Sequence, residues 1–160
     1  ALRHGELDVL ILALPVDIDN MESQVVGQDP FRMVISRNQA DGIRVPIKYD
    51  DLPDESVFLL ENEHCLTEHA VSACKLTDKE KINPFTATSL HTLVQMVANG
   101  LGTTFIPQMA IDHGLLENQN LVVIDPPGQQ AYRDIGLVWR PSSSRRETFH
   151  QLADVVSELL

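Results

Sequence analysis

The alternation of strand-like and helix-like segments is the feature that most constrains the fold of this 160-residue chain. Its first apolar run, residues 7–14, is nearly uninterrupted, which is typical of a strand buried on both faces of a parallel sheet. Apolar residues in 90–101 recur at spacings of three and four, and 149–160 repeats that helical pattern. Alternating strands and helices indicate an α/β fold. Further strands are predicted at 31–36, 57–60, 85–87, 103–106, 121–124 and 135–139.

The composition narrows the class of protein. Hydrophobic residues make up 43% of the chain, as in soluble globular proteins. Pro15 and Asp17 interrupt the first apolar run, which is therefore shorter than the roughly 20 residues of a membrane span. No secretory signal pattern is visible, and two cysteines are too few for a secreted disulfide scaffold. We therefore expect a cytoplasmic protein that does not enter a membrane.

The charge of the chain argues against direct contact with nucleic acid. Its 23 Asp and Glu residues outnumber its 12 Lys and Arg residues. Binding to phosphates needs clustered basic side chains, and the tight basic cluster in this sequence is Arg145-Arg146. We therefore expect that these residues do not bind DNA by themselves.

Two breaks in the pattern predict two lobes. Residues 27–30 and 126–130 are rich in turn-forming residues and are candidate crossings between lobes. We predict that lobe I comprises 1–28 and 132–160 and that lobe II comprises 29–131. Because a parallel strand at the start of the sequence lacks neighbours, we expect a fragment with an incomplete first lobe. Its exposed apolar strand would favour self-association.

The chain has two cysteines, Cys65 and Cys74, nine positions apart. If the segment between them is one helix, nine residues advance it by about 13 Å. A disulfide needs Cα atoms within about 7 Å, so a bond between these two residues would require local unfolding. A redox switch needs such a rearrangement, whereas a purely structural disulfide does not. The alternative, two unrelated buried thiols, is common for free cysteine and stays open at this point.

Cys65 is the better candidate for a reactive thiol. If residues 66–73 are helical, Cys65 lies at the helix start, where backbone N–H groups favour an anion. The adjacent His64 can donate a hydrogen bond or, when protonated, supply a positive charge. Cys74, at the carbonyl end of the same helix, is expected to have the higher pKa, and Lys75 offsets this only in part.

The same segment permits a zinc interpretation, because His64, Cys65, His69 and Cys74 are all possible ligands. Structural zinc sites usually pair cysteines two to four residues apart, and that pairing is absent. We therefore expect no metal and no other cofactor.

Thr88 and Ser89 precede the helical pattern that begins at residue 90. Backbone N–H groups at a helix start can hold a small anion, which makes these two residues candidate ligand contacts. The simpler interpretation is that Ser89 caps the helix, and Gly100 is predicted to end it.

Four motifs spread over nearly the whole chain resemble those of one regulator family. Gly-Glu-Leu-Asp at 5–8 precedes the first apolar strand, and Ala-Thr-Ser at 87–89 precedes a helix. Gly-Leu-Gly-Thr-Thr-Phe-Ile-Pro follows at 100–107, and Ile-Gly-Leu-Val-Trp-Arg-Pro at 135–141. Together these motifs resemble the regulatory domain of a LysR-type transcriptional regulator. The resemblance implies two Rossmann-like α/β lobes of the periplasmic-binding-protein type, with the first lobe incomplete in this chain.

The cysteine segment narrows the resemblance to hydrogen peroxide-sensing members of that family. The evidence is Leu-Leu-Glu at 59–61, His-Cys-Leu at 64–66, Cys74, and Phe85 eleven residues later. The resemblance implies that peroxide oxidises Cys65 to a sulfenic acid and that Cys74 closes a reversible disulfide with it. It also implies that His64 lies beside the reactive thiol and that Arg133 approaches it from the region between the lobes, and we expect Thr67 to support it as well.

The segment departs from the family pattern at two places. Known members have Asp-Gly where this chain has Asn62-Glu63, and Arg-Asp where it has Thr67-Glu68. A cation is lost at position 67 and an acid is gained at position 63, next to His64, so Cys65 should be harder to ionise.

The resemblance implies a transcriptional activator of the oxidative stress response, and we expect no enzymatic turnover. The implied partners are hydrogen peroxide, further copies of the chain in a dimer or tetramer, and RNA polymerase. Promoter DNA would be bound through an N-terminal helix-turn-helix that this chain does not contain. One alternative is a LysR-type domain gated by a small molecule between the lobes, near Ser89. Another is a peroxidase or zinc protein acting on its own.

Overall fold

The computed structural model describes residues 1–15, 20–41, 47–61, 65–76, 78–127 and 131–160. Strands and helices alternate, so the predicted α/β class is confirmed. Short 3₁₀ turns occur at Leu2–His4, Tyr49–Asp51 and Lys79–Lys81. The strands are β1 (Val9–Leu14), β2 (Glu22–Ser36), β3 (Val57–Leu60), β4 (Ile82–Ala87), β5 (Thr103–Pro107), β6 (Leu121–Ile124) and β7 (Tyr132–Trp139). The helices are α1 (Arg37–Ala40), α2 (Cys65–Ala73), α3 (Leu90–Ala98), α4 (Gln108–Asp112) and α5 (Arg146–Leu159).

The described chain separates into two compact units. Unit 1 comprises Ala1–Asp29 and Arg133–Leu160, and unit 2 comprises Pro30–Tyr132. Strand β2 begins in unit 1 and ends in unit 2. The segment 27–30 is therefore the point where the chain passes from one unit to the other, but it lies within a continuous strand.

Unit 1 is built from β1, β7, the first part of β2 and α5. Strand β1 pairs antiparallel with β7, from Val9 opposite Trp139 to Leu14 opposite Asp134. The sequence predicted that the first strand belongs to a parallel sheet, whereas its pairing with β7 is antiparallel; an apolar run reports burial and carries no information about strand direction. The burial is also only partial, since Ile11 is 56% exposed.

The core of unit 1 centres on Trp139, which is 1% exposed. Its ring packs against those of Phe149 and His150 on α5, with centroid distances of 5.8 and 5.1 Å. Its indole N–H donates a hydrogen bond of 2.9 Å to Glu22. The helical periodicity of 149–160 thus corresponds to the packing of α5 against Trp139 of β7.

In unit 2, β3 lies between β4 and β5 and is parallel to both, while β2 runs antiparallel to β5 and β6. All four residues of β3 are buried, as expected for a parallel strand covered on both faces. Because successive side chains point to opposite faces, they divide between two apolar clusters. The Cys74 cluster consists of Phe31, Met33, Ile47, Leu52, Val57, Leu59, Ala70, Cys74, Leu76, Phe105 and Ala131. The α3 cluster consists of Val34, Phe58, Leu60, Ala87, Leu93, Val94, Val97, Ile106 and Leu121.

Helix α3 begins and ends as the sequence predicts. The Ser89 hydroxyl accepts a hydrogen bond from the backbone N–H of Thr92, which confirms Ser89 as the N-cap. Gly100 follows the last turn with a φ of 79°, a left-handed conformation that glycine adopts without steric cost. None of the described helices combines the length and apolar character that a membrane crossing requires.

Candidate functional site

Helix α2 separates the two cysteines along the backbone. Cys65 is the first residue of α2, and Cys74 directly follows its last residue. The side chain of Cys65 and the whole of His64 lie outside the described part of the structure. The helical path places the two Cα atoms about 13 Å apart, well beyond disulfide range. Cys74 is accordingly a free thiol here, and the segment between the cysteines is the single helix that the spacing argument assumed.

The C-terminal end of α2 is a Schellman motif centred on Cys74. The N–H of Leu76 donates to the carbonyl of Val71 at 3.0 Å, and that of Lys75 donates to Ser72 at 3.2 Å. Lys75 has a φ of 52°, the left-handed position that glycine usually occupies in this motif. Cys74 is therefore the C-cap of α2, held between the helix and a strained residue.

Cys74 is 2% exposed and belongs to the apolar cluster named after it. This burial raises the pKa of the Cys74 thiol to about 12, while the hydroxyl of Tyr49, able to donate to the thiolate, offsets part of the rise. Cys74 is therefore a protonated thiol near neutral pH. From the sequence, we expected the helix terminus to raise the pKa of Cys74. In the structure, burial is the main cause of the rise.

Tyr49 is a residue of this site that the sequence did not indicate. Its ring packs on Phe105 with a centroid distance of 6.0 Å. Its hydroxyl is buried beside Cys74, and burial together with that neighbour raises the pKa of the phenol. Tyr49 and Cys74 are 25 residues apart, and no spacing rule relates a 3₁₀ turn to a helix C-cap across that distance.

Thr67, a predicted neighbour of the reactive thiol, faces the protein interior. It is 7% exposed, and its hydroxyl donates a 3.0 Å hydrogen bond to the carbonyl of Leu60. This bond ties the first turn of α2 to the end of β3. His69 on the same helix is also largely buried, at 9% exposure, whereas Glu68 is exposed.

Arg133 lies in unit 1, where it forms an ion pair with Asp29. Its Nε and Nη2 atoms donate to the same carboxylate oxygen at 3.0 and 2.8 Å. Asp29 is completely buried, and such a charge requires a partner. The two residues are 104 positions apart, and the sequence indicated only a chain break near Asp29.

Thr88 and Ser89 are both exposed. The Ser89 hydroxyl lies 3.2 Å from the N–H of Thr92 and 3.0 Å from its hydroxyl. Its oxygen is thus engaged in capping α3. Across the described ranges, no group of three or more His, Cys, Asp and Glu side chains is placed to hold a metal ion.

Comparison with known proteins identifies the family. The model of the LysR substrate binding domain matches residues 1–160. The chain belongs to the LysR substrate binding domain family. The predicted resemblance and the two-lobed α/β fold of this family are thereby confirmed.

Curated relatives of the chain include proteins named hydrogen peroxide-inducible genes activators. The reduced regulatory domain of OxyR2 from Vibrio vulnificus is 90% identical, with a TM-score of 0.94, over 99% of this chain and 75% of that one. The DNA-binding transcriptional dual regulator OxyR of Escherichia coli K12 is 32% identical, over 97% of this chain and 50% of its own length. The transcriptional regulator EstR of Acinetobacter baylyi is 30% identical, over 99% and 52%. The chain thus spans about half the length of these curated relatives.

Proposed function

We propose that this chain is the redox-sensing part of a LysR-type transcription activator that responds to hydrogen peroxide through a reversible Cys65–Cys74 disulfide. The observation that carries the proposal is the placement of two cysteines at opposite ends of one helix, in a chain 90% identical to an OxyR2 regulatory domain. Unit 1 would be part of lobe I of the family fold, and unit 2 would be lobe II, which carries the cysteines.

The first step takes place at Cys65. Its thiolate attacks one oxygen of hydrogen peroxide, the O–O bond breaks, and the products are a sulfenic acid and hydroxide. The amino end of α2 favours the thiolate, because the backbone N–H groups of the first turn point toward that end. His64 and Arg133 would assist, Thr67 would support the helix start, and Thr88 and Ser89 could contact a small ligand.

The second step requires Cys74 to leave the core. Its thiol loses a proton, the sulfur attacks the sulfenic sulfur of Cys65, and the displaced hydroxide takes up that proton as water. Because the two ends of α2 are about 13 Å apart, the helix must unwind. The hydrogen bond from Thr67 to Leu60 resists this unwinding, as does the burial of Cys74.

The energy scale of this step is compatible with a reversible switch. A disulfide that closes a ten-residue loop reduces the conformational entropy of the open chain. In the chain-entropy model this reduction corresponds to a free energy of about 2–3 kcal/mol. Such a bias inverts an equilibrium between two packings only if they are closely balanced. The oxidised segment would adopt a second packing and alter the contacts between copies of the protein.

The whole protein would bind promoter DNA through a helix-turn-helix outside this chain, since 23 acidic residues outnumber 12 basic ones here. It would act in the cytoplasm as a dimer or tetramer, engage RNA polymerase and perform no enzymatic turnover. The alternative of a domain gated by a metabolite is not favoured, because the 90% identical structure belongs to OxyR2.

Peptide mass mapping of the full-length protein after peroxide treatment tests the proposal. We expect a Cys65–Cys74 linkage that a thiol reductant reverses. Two free thiols at saturating peroxide would refute the proposal.

A sulfenate probe, dimedone, tests the individual roles. After peroxide, Cys74→Ser should be labelled, because its Cys65 sulfenic acid persists, and Cys65→Ser should remain unlabelled. The opposite labelling pattern would reverse the roles of the two cysteines.

A further inference from the structure

The ring and the hydroxyl of Tyr49 have different environments. The ring packs on Phe105 and on the Cys74 cluster. The hydroxyl oxygen is buried and, within the described ranges, makes no hydrogen bond of ordinary geometry. The polar group beside it is the thiol of Cys74. The aromatic ring is thus well placed, while the hydroxyl is poorly satisfied.

A neighbouring thiol compensates only weakly for the hydration that a hydroxyl loses on burial. Sulfur is a weak hydrogen-bond acceptor and S–H a weak donor, so the Tyr49 hydroxyl regains little of the hydration that it loses on burial. The free energy of the reduced packing is therefore higher with this hydroxyl than with a phenylalanine ring in the same place. Any rearrangement that admits water beside Cys74 would relieve this cost.

A second destabilising feature is the backbone of Lys75, the residue that follows Cys74. Lys75 has a φ of 52°, in the left-handed region where its Cβ is crowded by the following carbonyl. The two Schellman hydrogen bonds hold it there. Unwinding the end of α2 would release this strain together with Cys74.

We propose, on the basis of the proposed function, that Tyr49 and Lys75 are positioning residues that set how readily Cys74 leaves the core to reach Cys65. Both raise the free energy of the closed, reduced packing. Neither exchanges a proton or an electron with the reacting sulfurs, so the chemistry of the disulfide step is unchanged. Their effect is on the fraction of molecules in which Cys74 is released.

Alkylation of Cys74 measures that fraction directly. In full-length protein carrying Cys65→Ser, Cys74 is the one thiol left within this chain. The mass of the proteolytic peptide that contains Cys74 gives the rate at which iodoacetamide modifies it. Tyr49→Phe should slow alkylation about tenfold, because it removes the poorly satisfied hydroxyl and keeps the ring. Lys75→Gly should slow it about fivefold, because glycine adopts the left-handed conformation without strain.

Two matched variants separate this local effect from a general gain in stability. Tyr132→Phe makes the same chemical change at a tyrosine that is 45% exposed. Glu55→Gly relieves the same kind of backbone strain at a φ of 53°. Both should leave the Cys74 alkylation rate unchanged. Amide hydrogen exchange should slow in α2 for Tyr49→Phe and Lys75→Gly, and stay unchanged in α3.

The redox equilibrium provides a second measurement. With both cysteines present, glutathione buffers should show that each variant shifts the Cys65–Cys74 pair toward the dithiol by the same factor that slows alkylation. Alkylation that is unchanged or faster in Tyr49→Phe and Lys75→Gly would overturn the inference. Because the alkylation experiment involves no peroxide and no disulfide, failure of the pair to oxidise would count against the proposed function alone.

Discussion

Burial of Cys74 predicts that the stability of unit 2 falls in mildly alkaline solution. The pKa of this thiol is about 12 in the folded protein, against about 8.5 in an unfolded chain. A thiol with the higher pKa when folded holds its proton more tightly in that state. Its contribution to stability is fully present below about pH 8.5 and is lost as the pH rises toward 12.

The magnitude follows from the two pKa values. At pH 9.5 the unfolded thiol is about nine-tenths ionised while the folded thiol remains protonated, so the free energy of unfolding falls by about 1.4 kcal/mol relative to pH 7. The phenol of Tyr49, whose pKa is also raised, adds less than about 0.2 kcal/mol to this loss at pH 9.5. The difference between the wild type and Cys74→Ala over pH 7 to 9.5 therefore isolates Cys74, because groups common to both proteins, Cys65 among them, cancel.

Urea unfolding followed by far-UV circular dichroism, with a phosphine reductant present, measures this change. Between pH 7 and 9.5 the wild-type chain should lose about 1.4 kcal/mol more than Cys74→Ala does. Cys65→Ser should retain this additional loss, since this variant keeps the buried thiol. Equal pH dependence in the wild type and Cys74→Ala would refute the assignment of the buried proton to Cys74.

Two further substitutions test the packing of each unit. Arg133→Met leaves the buried Asp29 carboxylate without this ion-pair partner, and should destabilise unit 1 by about 3 kcal/mol. Fluorescence of Trp139, the single tryptophan, reports that unfolding, and a loss below about 1 kcal/mol would contradict the importance of the pair. Gly102→Ala would place a Cβ 2.1 Å from the carbonyl oxygen of Ser56, so backbone must shift and thermal unfolding followed by circular dichroism should show a loss of more than about 2 kcal/mol. An unchanged melting temperature would show that the turn adapts freely.

Local patterns in the sequence were sufficient to predict much of the fold. The four buried residues of β3 form an uninterrupted apolar run, and α3 lies between a serine cap and a left-handed glycine. Such features depend on residues within a few positions of one another, where periodicity and capping act directly. The spacing of Cys65 and Cys74 likewise determined that a single helix would keep them apart.

The tertiary structure decided which distant groups meet. The direction of β1, the pairing of Asp29 with Arg133, and the position of Tyr49 beside Cys74 all depend on the path of the chain between them. Periodicity describes which face of an element is buried, and it carries no information about which group lies opposite that face. The sequence alone therefore determined that Cys74 follows a helix, whereas packing determined that its thiol is buried against a poorly satisfied hydroxyl.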